Sequence, residues 1–231
     1  MSKMPRKPPP GAPADWPTHA ESRWARPLMR GLLTLLSNYK VIGQENLPEP
    51  PYIIVSNHMS YFDIPAMNLP SPFGTVGMAA LKYRKTWQRP LFELFPLIWV
   101  EQFAPDLSAL RDAITVLKHG VPIAIAPEGT RSRTRALIEG RQGVAFIATR
   151  AKVPIVPGAV WGTELVLKRP RPTVIARYGK PFRLPEGRAK GPELEEYTEQ
   201  IMCSIAALMP EQYHGFYAGN PKIEEMRAKI T

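Results

Sequence analysis

Tyr52-Ile53-Ile54-Val55-Ser56-Asn57-His58-Met59-Ser60-Tyr61-Phe62-Asp63 decides how this chain is read. It begins as an apolar, β-branched run that reads as a buried strand, 52–56, and turns abruptly polar. A second run, Pro122-Ile123-Ala124-Ile125-Ala126, does the same and leads into Pro127-Glu128-Gly129-Thr130-Arg131-Ser132. Polar chemistry at the exit of buried strands is where open α/β sheets carry their sites.

Working outward, strand and helix signals alternate from Lys40 onward. Strands are expected at 40–44, 52–56, 73–78, 97–101, 122–126, 154–160 and 172–178. Helices are expected at 64–69, 84–95, 106–119, 140–151 and 192–209. Asp106 and Ser108 stand at the start of the third helix and Gly120 just beyond its end, as capping requires. Such alternation predicts an α/β fold with a mostly parallel central sheet flanked by helices. Ahead of it, Trp24, Leu28, Leu32 and Leu36 recur every four residues beside Arg23, Arg26 and Arg30, which predicts an amphipathic N-terminal helix. That helix packs on the core or lies in a lipid interface with its arginines near headgroups. The expected organisation is a disordered Pro-rich tail (1–21), the amphipathic helix (22–39), a main domain (40–212) and a C-terminal extension (213–231).

The chemistry follows from two clusters. A hydroxyl is a poor nucleophile until a base takes its proton, and histidine, with an ordinary pKa of about 6.5, suits that task. His58 is the candidate base. Asp63, five residues on, is placed to bond the other ring nitrogen and fix the tautomer, the logic of a serine triad with a substrate hydroxyl in place of the serine. The plainer reading makes Asp63 the N-cap of the helix that Ile64-Pro65 begins, and the two roles coexist. Asn57 is expected to shape the turn, and Ser60, with no Gly-x-Ser-x-Gly around it, to be structural. In the second cluster Gly129 lets backbone approach a ligand, Arg131 can grip a phosphate with paired hydrogen bonds, and Glu128 can accept from a substrate hydroxyl or orient Arg131. Alone, this loop would read as a solvated salt bridge, and Arg133 and Arg135 read as a solvated face.

These motifs in this order resemble the glycerolipid acyltransferases, the family of 1-acyl-glycerol-3-phosphate acyltransferase. Asn57 to Asp63 is similar to its NHxxxxD (HX4D) block, Pro127 to Ser132 to its P-E-G-T-R-S block, and Val153-Pro154-Ile155-Val156-Pro157 to its V-P-I-V-P block. The resemblance spans about Leu32 to Pro185. It implies His58 and Asp63 as the catalytic pair and Glu128, Gly129, Thr130 and Arg131 as binders of a glycerol-phosphate acceptor. Lys82 approximately matches a family lysine that would steady the oxyanion of the attacked carbonyl. One block departs: Gln102, in Ile98-Trp99-Val100-Glu101-Gln102, stands where the family carries an acceptor-binding Arg.

The implied reaction moves a fatty acyl group from acyl-CoA or acyl-carrier protein to a lysophospholipid hydroxyl, most simply that of 1-acyl-glycerol-3-phosphate. Gln102 leaves another lysolipid or an aminolipid hydroxyl open as acceptor. No cofactor or metal is expected, since no His/Cys cluster has ligand spacing. The formal charge of +10 and a pI of 9.8 favour anionic partners, here an anionic membrane surface. Nucleic acid is not expected, because no recognised motif accompanies the charge. Cys203 is the only cysteine, so no intrachain disulfide forms. No stretch reaches the roughly 18 apolar residues of a membrane span. A peripheral or monotopic protein on the cytoplasmic face is the expectation. The alternative is a non-catalytic domain that binds anionic membrane.

Overall fold

The computed structural model describes residues 25–231 apart from 93, 94, 105 and 188. The Pro-rich tail expected at 1–21, and the first residues of the helix expected at 22–39, lie outside these. Helix α1 (Ala25–Leu36) leads into strand β1 (Asn38–Ile42), β2 (Ile53–Ser56), α2 (Asp63–Asn68) and β3 (Val76–Ala80). Then come α3 (Arg89–Phe92), β4 (Leu97–Val100), α4 (Leu107–Lys118), β5 (Ile123–Ile125), α5 (Gly143–Ala151) and β6 (Ile155–Trp161). The chain closes with β7 (Thr173–Tyr178), α6 (Pro192–Ala206) and α7 (Lys222–Ile230).

The seven strands form one sheet in the order β1-β7-β6-β2-β5-β3-β4. Every pairing is parallel except β6 with β7. Strands β2 to β6 therefore share one direction, and their C-terminal ends open on one edge. Successive side chains of β2 alternate faces. Ile53 and Val55 join the core beneath α4, α5, α6 and α7, while Tyr52 and Ile54 pack with Leu33 of α1 and Ala66 and Met67 of α2. The segment after 212 belongs to the first of these cores, through Tyr217, Ile223, Met226 and Ile230.

Two expectations change. The helix expected at 84–95 is a short 3-10 helix, Leu81–Lys85, followed by the brief α3. Pro90 has no N–H to give and disfavours the helical region for the residue before it, so one continuous helix cannot run through. In α1 the side chain that seats the helix is Leu33, 1% exposed, a burial worth about 1.5–3 kcal/mol, whereas Leu28, Leu32 and Leu35 face outward. Arg26 is not turned to the outside: its guanidinium donates to the Asn68, Leu69 and Ser71 carbonyls at the end of α2, where a cation complements the helix C-terminus.

Candidate active site

The exits of β2 and β5 meet at the open edge. In the turn after β2, His58 Nδ1 lies 3.1 Å from Asp63 Oδ2. The same oxygen accepts the backbone N–H groups of Met59 at 2.5 Å and Ser60 at 2.6 Å. Asp63 Oδ1 accepts the Thr163 hydroxyl, from just beyond β6. Asp63 is the first residue of α2 and its carboxylate folds the turn that precedes the helix. With four donors around a group 1% exposed, its carboxylate is fixed in place. A carboxylate so placed keeps the His58 proton on Nδ1 and leaves Nε2 as the ring's acceptor. The His58 side chain keeps 18% of its surface exposed.

Glu128 faces inward. Oε1 accepts the His58 backbone N–H at 2.8 Å and Oε2 that of Ile138 at 3.1 Å, and the residue is 1% exposed. Both oxygens are thus engaged by backbone, which ties the β5 loop to the His58 turn. Ser132 N–H, donating to the His58 carbonyl at 2.7 Å, makes a second tie. Burial raises the Glu128 carboxyl to about 7, with the Asp63 charge adding to it and the two backbone donors working against it.

Gly129 has φ 67, a left-handed conformation, and a Cβ there would stand 2.7 Å from Arg141 Cδ; only glycine fits without strain. Its carbonyl accepts from Gln102 Nε2 at 2.8 Å, so the neutral side chain at the end of β4 reaches the same loop. Arg131 stacks its guanidinium 3.8 Å from the centre of the Tyr61 ring. The Tyr61 hydroxyl lies beside Gln88 and Tyr83, and the Gln88 amide, aided by the Arg131 charge, lowers its pKa. Thr130 follows Gly129 on the loop, half-buried. Lys82 is exposed on the 3-10 helix, its Nζ 5.3 Å from the Tyr83 ring centre.

Three residues carry more than their sequence positions suggested. Asn57 does not bond its own turn: it clasps β6, donating to the Val160 carbonyl at 2.7 Å and accepting the Val160 N–H at 2.8 Å. Thr163 completes the Asp63 shell. A polar residue at the exit of a third buried strand is the signal that would have found it. Tyr61 forms the platform under Arg131, a contact with no sequence signature. Ser60 is structural as expected, with its Oγ donating to the Thr163 carbonyl at 3.2 Å and accepting Phe62 N–H. Among the described residues no three His, Cys, Asp or Glu side chains are grouped to hold a metal ion.

Residues 38–161 match the family model described as Acyltransferase. A 1-acyl-sn-glycerol-3-phosphate acyltransferase of Saccharomyces cerevisiae is 32% identical over 215 residues, which cover 86% of this chain and 67% of that protein. The protein of that name from Cocos nucifera is 29% identical over 195 residues, 79% of this chain and 61% of its own length. Among solved structures, the 1-acyl-sn-glycerophosphate (LPA) acyltransferase PlsC from Thermotoga maritima superposes with a TM-score of 0.60 at 29% identity. The match covers 78% of this chain and 75% of that one.

Proposed function

The chain belongs to the acyltransferase family, and from that premise we propose that it transfers a fatty acyl group from acyl-CoA or acyl-carrier protein to the free hydroxyl of 1-acyl-glycerol-3-phosphate. The observation that carries the reading is the His58–Asp63 pair, with Asp63 bonded by Met59, Ser60 and Thr163. His58 Nε2 takes the acceptor's hydroxyl proton as its oxygen attacks the thioester carbonyl. The tetrahedral intermediate collapses, the C–S bond breaks, and the thiol leaves with the proton from His58. Asp63 stabilises the transient imidazolium. No acyl-enzyme forms, because the acceptor itself supplies the nucleophile.

Arg131, backed by Tyr61, holds the acceptor phosphate by charge-assisted hydrogen bonds. Glu128 positions the His58 turn from behind. Gln102 favours a second acceptor class: its amide, bonded to the Gly129 carbonyl, supplies no cation, which suits a lysolipid or aminolipid with less phosphate charge at that point. No helix among the described residues is long and apolar enough to cross a membrane. The protein works from the cytoplasmic membrane surface, with Leu28, Leu32 and Leu35 of α1 turned toward lipid.

The test is thiol release from palmitoyl-CoA with and without lysophosphatidate, for wild type and His58→Ala. Acceptor-dependent release that falls by a factor on the order of 10² to 10⁴ in the variant supports the reading. Release without acceptor would indicate a hydrolase instead.

A further inference from the structure

The 3-10 helix after β3 leaves the sheet at the same edge as His58 and Glu128. From Leu81 to Phe92 the chain carries Lys82, Arg84, Lys85 and Arg89 and no acidic residue. Trp87 is 87% exposed, and Leu81 is exposed beside it. An indole held in water amid cations is costly in a protein that stays in solution. It is the composition that settles at the headgroup level of a bilayer, where the ring sits among the carbonyls and the cations meet lipid phosphates. The inner side of the same segment is firmly seated: Tyr83 stacks on Phe92 with ring centres 4.9 Å apart, and Phe92 packs on Trp99 of β4. Tyr83 and Gln88 both lie beside the Tyr61 hydroxyl, and Tyr61 carries Arg131. One short segment therefore has an apolar, basic outer side and an inner side two contacts from the candidate phosphate-binding arginine.

We propose that Leu81–Arg89 is a docking surface for an anionic lipid bilayer, and that it sets the Arg131 side of the site against the headgroup layer. The second half rests on the acyl-transfer reading; the first does not. Trp87 and Leu81 enter the interface and Arg84 and Lys85 pair with lipid phosphate. The surface is separate from the outward leucines of α1. That helix packs on β1, at the far end of the strand order from β3 and β4.

The experiment uses the full chain and vesicles of phosphatidylcholine with and without phosphatidylglycerol, read by co-sedimentation. It also measures thiol release with the acceptor either embedded in vesicles or supplied as a short-chain, water-soluble lysophosphatidate. The variants are Trp87→Ser, the double variant Arg84→Gln/Lys85→Gln, and Leu32→Ser on α1 for comparison, each checked for unchanged circular dichroism. The double variant is expected to bind phosphatidylglycerol vesicles roughly thirtyfold more weakly, at about 1 kcal/mol per cation removed. Trp87→Ser should weaken binding to both vesicle types. Turnover of embedded acceptor should fall in parallel while turnover of the soluble acceptor stays within twofold. Vesicle binding retained in both variants, and lost only in Leu32→Ser, would overturn the proposal in favour of α1. Equal loss on soluble acceptor would overturn it too, making the segment part of the substrate site. If wild type binds vesicles, the Trp87 and Arg84/Lys85 variants lose that binding, and no transfer occurs, the acyl-transfer reading fails and the docking surface stands.

Discussion

Replacing Glu128 by Gln should change how stability responds to pH. In the folded protein the Glu128 carboxyl sits at about 7 against an ordinary 4.5, chiefly because burial disfavours its charge. At about 1.4 kcal/mol per pH unit, that displacement is worth roughly 3 kcal/mol. The sign follows from the raised value: the stabilising contribution is full below about pH 4.5 and is lost as pH rises through about 7. Above that, folding holds an ionised carboxylate away from water, offset only in part by the N–H groups of His58 and Ile138. The glutamine variant cannot titrate. Its amide oxygen keeps one of the two N–H partners and its NH2 faces the other, a fixed penalty of roughly 1–3 kcal/mol at every pH. Wild type should therefore exceed the variant by about 2.5 kcal/mol more at pH 5 than at pH 8. For a domain of this size that is a difference in Tm of roughly 5–10 °C. The assay is thermal unfolding of both proteins by circular dichroism across that range. Parallel curves, with the gap in Tm constant from pH 5 to 8, would refute the account of Glu128 as a buried carboxyl with a raised pKa.

Thr163→Val removes the hydroxyl that bonds Asp63 Oδ1; urea unfolding should show a loss of about 1.5–3 kcal/mol, the range for a hydrogen bond to a charged group. Gly162→Ala puts a methyl 2.0 Å from the Thr173 carbonyl oxygen at φ 83; it should lower Tm by more than the roughly 1–3 kcal/mol of backbone strain alone accounts for. Gln102→Arg supplies a cation beside the Gly129 loop and should lower the KM for lysophosphatidate about tenfold or more, from a charge-assisted bond of about 1.5–3 kcal/mol; an unchanged KM would mean that residue 102 does not meet the acceptor phosphate.

All seven expected strands are present; the inner ones were legible because strands buried on both faces carry near-continuous apolar runs such as Ile53-Ile54-Val55. The His58–Asp63 pair was legible because both partners lie within one turn. What the spacing could not reveal is direction and distance. Glu128 looked like a ligand because its neighbours do, yet an alternating turn carries it inward to the backbone of His58. Arg131 stacks on Tyr61 only because two separate strand exits converge. Arg26 read as a surface charge, since nothing local betrays that the end of α2 lies against it. The helix expected over 84–95 is cut short in the fold, where Pro90 confines α3 to Arg89–Phe92.

The ties that hold the candidate base have a temporal consequence. His58 depends on Glu128 from 70 residues downstream, Asp63 on Thr163 from 100, and Asn57 on Val160 from 103. Contacts of such sequence separation close late, because the intervening chain's entropy is lost before they return any stability. On a ribosome His58 and Asp63 emerge together, yet their scaffold is absent until β6 and the residues just beyond it have followed. The nascent chain thus carries its reactive pair through the next 100 residues of synthesis without the frame that orients it. Competence arrives as one of the last acts of folding, when the sheet that will hold the pair is already built.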